Sequence, residues 1–146
     1  IIKKAKENNV GLILPLDSVN SISLKDQLAS SVSEINKIPV NEMGLDIGPK
    51  SIDLFNKEIL SSKTILWNGP MGVFEFNNFS KGTLSVGKSI CESTCKGAFS
   101  LVGGGDSIAA IRKFNLTDGV SYISTGGGAM LEYLEGKELP ALKALS

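Results

Sequence analysis

Residues 101–107 read LVGGGDS, and residues 123–129 read ISTGGGA. In each, a short apolar run enters three consecutive glycines, and a stretch with helical spacing leaves them. Glycine loses more backbone freedom on ordering than any other residue, so a triplet weakens a fold unless backbone must come very close to something. Strand, glycine turn and helix start together form one unit of an α/β sheet, and the unit occurs twice within a short span. Such a unit leaves main-chain N–H groups free at the positive end of a helix dipole, an anion site for which phosphate is the usual ligand. Two of them at one sheet edge suit a polyphosphate, or a donor and an acceptor group; tight packing of the turns without a ligand is the alternative.

The same alternation extends upstream. In GLDIGPKSIDLFNKEILSS (44–62), Pro49 fits the first turn of a helix whose apolar face is Ile52, Leu54, Phe55 and Ile59. TILW (64–67) reads as a strand, NGPMGVFEFNN (68–78) as a loop, and FSKGTLSVGKSICESTC (79–95) as a helix carrying Phe79, Leu84, Val86 and Ile90. GAFSLV (97–102) is the next strand, followed by helix 106–114, strand 119–124 and helix 129–135. Short buried strands alternating with helices predict a three-layer α/β/α, Rossmann-like parallel sheet with right-handed connections, here truncated. Ligands of such sheets bind beyond the strand C-termini, where both glycine triplets and NGPMG fall. At the other end, residues 1–9 read as a helix with Ile1, Ile2 and Ala5 on one side and Gly11 as its stop, and LILPLD (12–17) as a strand. Residues 18–40 show no sustained period and read as an irregular excursion with short strands.

The whole chain has 146 residues, 42% hydrophobic and 21% charged, which suits a globular domain with a real core. Lys plus Arg and Asp plus Glu number fifteen each, so no overall basic field points to nucleic acid or to an anionic membrane. No apolar run approaches the ~20 residues of a membrane span and the start resembles no signal peptide, so the chain reads as intracellular and cytoplasmic, with an organellar form left open. Lacking an initiator Met and starting in helical rhythm, it reads as an excerpt. Cys91 and Cys95 lie one helical turn apart, and with no histidine in the chain they read as packing residues.

Asp106, directly after the first triplet, could hold a Mg²⁺ that bridges phosphate oxygens, or cap the helix with help from Ser107; spacing leaves both open. The dinucleotide pattern G-x-G-x-x-G fails at Ile108 and Leu131. GTLSVGKS (82–89) matches the phosphate-loop string formally, but it sits inside a predicted helix and follows no strand, so we read it as a chance match.

Three stretches, LWNGPMGVFEFNNFSKGT (66–83), LVGGGDSIAA (101–110) and STGGGAMLEYLEGKELPAL (124–142), closely resemble phosphoglycerate kinases, and PLD and MGLDIGPKSIDLF follow the family pattern in the same order. The resemblance covers nearly the full chain and places 1–146 in the latter part of the family's C-terminal nucleotide-binding domain. It implies transfer of a phosphoryl group between 1,3-bisphosphoglycerate and ADP, giving 3-phosphoglycerate and Mg-ATP, in an enzyme that is monomeric at full length. It also implies roles. Asp106 would hold Mg²⁺ on the nucleotide phosphates, with Gly104, Gly105 and Ser107 around them. Gly44, Asn68, Pro70 and Glu75 would line the adenosine side, Glu75 reaching the ribose hydroxyls. Gly126, Gly127 and Gly128 would offer N–H groups to the transferring phosphoryl.

Taken without the resemblance, Glu75 reads as a solvated loop carboxylate and Asn68 as a turn residue. Two positions depart from the family pattern: Tyr122 stands where histidine is common before STGGGA, and Ala141 where glycine follows LP. The family's basic N-terminal domain, which binds phosphoglycerate, and its nucleotide-contacting lysines are expected upstream of these residues. Without them, the chain is expected to bind nucleotide weakly and to be inactive. A non-catalytic nucleotide-binding module is the competing class.

Overall fold

A computed structural model describes residues 1–24 and 31–145. In chain order the elements are α1 (Ile2–Glu7), β1 (Asp17–Ser21), β2 (Ser31–Glu34), β3 (Met43–Ile47), α2 (Pro49–Ser61), β4 (Thr64–Asn68), α3 (Lys81–Cys95), β5 (Phe99–Gly103), α4 (Gly105–Lys113), β6 (Tyr122–Ser124), α5 (Gly127–Leu134) and α6 (Pro140–Lys143). Short 3₁₀ turns occur at Asn77–Phe79 and Thr117–Gly119.

From β4 onward the α/β alternation predicted from sequence is present. Strands β4, β5 and β6 form a parallel sheet in that order, with Leu66 opposite Leu101 and Leu101 opposite Tyr122. Alternation along β4 turns Ile65 and Trp67 into the core, where they meet Ile52 of α2, Val86 and Ile90 of α3, Val102 of β5 and Ile111 of α4. Val102 and Ile111 are fully buried and Trp67 is 4% exposed. Helix α2 begins with Pro49 in its first turn, as predicted. The other sheet face, carrying Leu66, Phe99 and Tyr122, is exposed. The fold is an open α/β sheet with flanking helices.

In the first forty-seven residues the helix read near the start and short strands within 18–40 are present, but other details differ from expectation. Within LILPLD, Asp17 lies in a strand and residues 12–16 do not. Pro15 has no N–H to give a ladder, and the N–H groups of Leu16 and Asp17 donate to the Ser51 hydroxyl at 2.9 and 3.0 Å. Helix α1 ends at Asn8, with Asn9 in the left-handed region (φ 53°), before Gly11 is reached, and its apolar face is uncovered, Ile2 being 70% exposed. Part of the excursion predicted over 18–40 supplies β1 and β2 of a second, antiparallel sheet, completed by β3 in the order β2-β1-β3, so the strands are not all parallel; residues 25–30 of that excursion lie outside the described residues. This sheet has a polar interior. Asn20 is fully buried, accepting from the Ser18 hydroxyl at 2.6 Å and donating to the hydroxyls of Ser31 and Ser33 at 3.0 and 2.9 Å. Each of these bonds offsets the cost of removing a polar group from water.

The string GTLSVGKS is helical throughout, inside α3, as expected of a chance match. There a Cβ on Gly82 would lie 2.3 Å from Asp46 Oδ1 and one on Gly87 2.7 Å from Leu116 Cδ1, so close packing explains both glycines. Cys91 is half-buried, with its Sγ 3.7 Å from the Leu116 carbonyl, and burial pushes its thiol above the ordinary value; Cys95 is exposed. Helix α6 was not anticipated, and both departures from the family pattern are exposed, Tyr122 on β6 and Ala141 on α6.

Candidate nucleotide site

Asn68, Gly103 and Ser124 face one another in register, so β4, β5 and β6 end at one level and their following loops share one edge. The two glycine triplets meet there. A Cβ on Gly127 would sit 2.5 Å from Gly104 N and 2.8 Å from Gly104 Cα, so the loops pack backbone on backbone. Gly104 has φ +89°, a conformation that favours glycine, and Gly103 has the Met130 side chain against it. Gly105, Gly126 and Gly128 face open space. The triplets therefore divide the work: Gly103, Gly104 and Gly127 let the loops approach, and the remaining three leave the edge clear.

Each loop opens a helix. Gly104 is the N-cap of α4 and Gly126 of α5, and neither cap contributes a side-chain hydrogen bond. The N–H groups of Gly105, Asp106 and Ser107 in α4, and those of the first turn of α5, have no carbonyl of their own helix to reach. Asp106 lies in the first turn of α4, exposed and without an ion pair or side-chain hydrogen bond among the described residues, so it is not the cap. Ser107 is 1% exposed, and its hydroxyl accepts from Gly69 N–H at 2.6 Å. That bond ties the NGPMG loop to the start of α4, so the part of Ser107 left to face the edge is main chain.

NGPMG is held at several further points. Trp67 Nε1 donates to the Gly69 carbonyl at 2.8 Å, Val73 N–H to the Leu45 carbonyl at 2.8 Å, and the N–H groups of Met71 and Gly72 to Thr83 Oγ1 at 3.1 and 3.2 Å. The Asn68 side chain rests against Gly104, where a Cβ would meet its Oδ1 at 2.9 Å. Beside this loop a cleft of about 480 Å³ opens towards β3, lined among others by Gly44, Leu45, Pro70, Met71 and Val73. Its apolar lining suits a flat ring. Glu75 is not part of that cleft; it is exposed at a second one, of about 240 Å³, with Phe76, Asn77 and Asn78.

Two buried carboxylates fix the helices beneath the cleft. Asp46 of β3 accepts from Gly82 N–H at 2.8 Å through Oδ2 and from Ile47 N–H at 2.9 Å through Oδ1, capping α3 from outside because the hydroxyl of its own N-cap, Ser80, donates to the Asn77 carbonyl at 2.8 Å and caps nothing. Burial pushes its carboxyl up to about 6, against the pull of the N–H groups of Gly82, Ile47 and Lys81. Asp17 of β1 caps α2 in the same way, accepting from Ser51 N–H (2.8 Å), the Ser51 hydroxyl (2.6 Å) and Lys50 N–H (3.0 Å). Burial alone would raise its carboxyl; the Ser51 hydroxyl and the two N–H groups outweigh it and hold Asp17 below its ordinary value. Neither acid stood out in the sequence.

A family model described as phosphoglycerate kinase matches residues 1–137. The chain belongs to the phosphoglycerate kinase family. It is 57% identical over 145 residues to the phosphoglycerate kinase of Porphyromonas gingivalis, a match covering 99% of this chain and 35% of that protein. The solved structure of phosphoglycerate kinase from Coxiella burnetii superposes with a TM-score of 0.90 at 46% identity, over 99% of this chain and 37% of the other. That from Pyrococcus horikoshii gives 0.79 at 35% identity, over 98% and 34%. The chain thus spans about a third of the length of these phosphoglycerate kinases. Among the described residues no helix is long and apolar enough to cross a membrane.

Among the described residues no three His, Cys, Asp or Glu side chains cluster as a metal cage. The solitary, exposed Asp106 fits the other way of holding Mg²⁺, with one carboxylate, phosphate oxygens and waters.

Proposed function

We propose that this chain is the nucleotide-holding part of an enzyme that moves a phosphoryl group between 1,3-bisphosphoglycerate and ADP, giving 3-phosphoglycerate and ATP. The observation that carries the reading is the backbone contact between Gly104 and Gly127, which brings the first turns of α4 and α5 to the same edge. Main-chain N–H groups of Gly104, Gly105 and Ser107 surround the nucleotide phosphates, and those of Gly126, Gly127 and Gly128 face the phosphoryl in flight. Gly44 and Pro70 line the base cleft with Asn68 at its phosphate end, and Glu75 accepts from the ribose hydroxyls. When bound, Mg²⁺ neutralises charge on the phosphates, and Asp106 is the carboxylate that would hold it.

Phosphoryl transfer asks a protein mainly for in-line placement and fixed dipoles, and no side-chain nucleophile is required. Loops pinned through Trp67, Thr83 and Ser107 supply such rigidity. The phosphoglycerate-binding surface lies outside this chain, so these residues alone bind nucleotide weakly and do not turn over. The test is Asp106→Ala in the full-length protein: turnover with Mg-ADP should fall at least about 100-fold with the melting temperature unchanged. Near-normal Mg-dependent turnover would overturn the assignment.

A further inference from the structure

Lys113 closes α4. Its ammonium donates to the carbonyl of Phe74 at 2.8 Å and to that of Glu75 at 2.9 Å, two residues nearly forty positions earlier in the chain. The first carbonyl belongs to the peptide preceding the Glu75 Cα and the second to the peptide following it. One charged group therefore holds both peptide planes whose rotation sets Glu75 φ and ψ. Lys113 forms no ion pair with a carboxylate among the described residues, so its charge is directed to main chain. Hydrogen bonds from an ionised donor are stronger than neutral ones, and a cation suits a helix C-terminus.

The surroundings stiffen the arrangement. Phe74 is 5% exposed and meets the Phe114 ring edge-on, with centroids 6.5 Å apart, and the Lys113 ammonium lies 5.9 Å from the Phe114 centroid. The Glu75 side chain itself remains exposed and without an ion pair among the described residues. We infer that Lys113 is a positioning residue for sugar recognition, aiming the Glu75 carboxylate at the ribose hydroxyls from the far end of the helix whose first turn faces the phosphates. The inference rests on the ribose role proposed for Glu75 and adds what makes that role selective.

The experiment measures dissociation constants of the full-length protein, by calorimetry, for ADP and for 2′,3′-dideoxy-ADP, which lacks both hydroxyls. The ratio of the two reports hydroxyl recognition, whereas general loosening of the loop weakens both nucleotides alike. Glu75→Ala should bring the ratio near one. Lys113→Met should lower the wild-type ratio about three- to tenfold, and Lys113→Arg, which keeps charge and donors, should stay within about twofold of wild type. A wild-type ratio in Lys113→Met, whatever happens to overall affinity, overturns the inference while leaving the Glu75 reading intact. An unchanged ratio in Glu75→Ala overturns the reading and the inference together.

Discussion

Asp46 on β3 accepts a hydrogen bond at 2.8 Å from the main-chain N–H of Gly82, the second residue of α3, across thirty-six positions of sequence. A strand thereby supplies the cap that the helix lacks locally. The same acid lines the cleft beside Pro70, so the start of α3 and the wall of that cleft share one anchor.

Asp46→Ala should cost about 2–3 kcal/mol, because buried N–H groups lose their acceptor. The pH dependence has a definite sign. With its folded value raised to about 6 from 3.8, the carboxyl binds a proton more readily in the fold. Its contribution is therefore full below about pH 4 and declines as pH rises towards 6, by up to about 3 kcal/mol. Denaturant midpoints at several pH values, read through Trp67 fluorescence for wild type and Asp46→Asn, should show the difference between the two changing across that window and constant above it.

Asp17 should behave oppositely. Its folded value lies below 3.8, so its contribution is present above that value and is lost as pH falls through the folded one. Asp17→Asn keeps one acceptor oxygen where two were used, and we expect a loss of about 1–3 kcal/mol at neutral pH that shrinks in acid. A series of midpoints from pH 6 down to pH 2 checks both the sign and the window.

The two glycine triplets supply a paired test. A methyl group at position 127 meets Gly104 main chain, which cannot swing aside, whereas one at position 128 meets open space. Gly127→Ala should destabilise by about 1–3 kcal/mol through overpacking, and Gly128→Ala should be neutral or stabilising by up to about 1 kcal/mol, since alanine favours helix. Denaturation of both variants, with the Gly104 amide resonance as local reporter, distinguishes them.

Much of the chain beyond β3 was legible because there local signals and tertiary structure coincide. Glycine triplets marked the loops, Pro49 marked a helix start, and the spacing of Val86 and Ile90 marked a buried face that is indeed buried. The first part was less so, for two physical reasons. A continuous apolar run such as LILPL looks like a strand whether or not a ladder partner exists, and here Pro15 has no N–H and Ser51 takes that of Leu16. The antiparallel sheet buries Asp17, Ser18, Asn20 and Ser21, which inverts the apolar pattern that strand reading relies on. Asp17, Asp46 and Lys113 were invisible because their partners lie more than thirty residues away, beyond any local motif.

Helix α4 has nine residues, Gly105 to Lys113, between the turn at Gly104 and the ammonium that holds the Glu75 backbone. At about 1.5 Å and 100° per residue it acts as a ruler roughly 12 Å long between the glycine edge and the Glu75 loop. Inserting a single alanine after Ile111 would leave the glycine turn and the buried Ile108 and Ile111 in place yet rotate Lys113 by about 100° away from the carbonyls it holds. What this helix passes to the site is a count of residues, so its tolerance to change is set by length before identity.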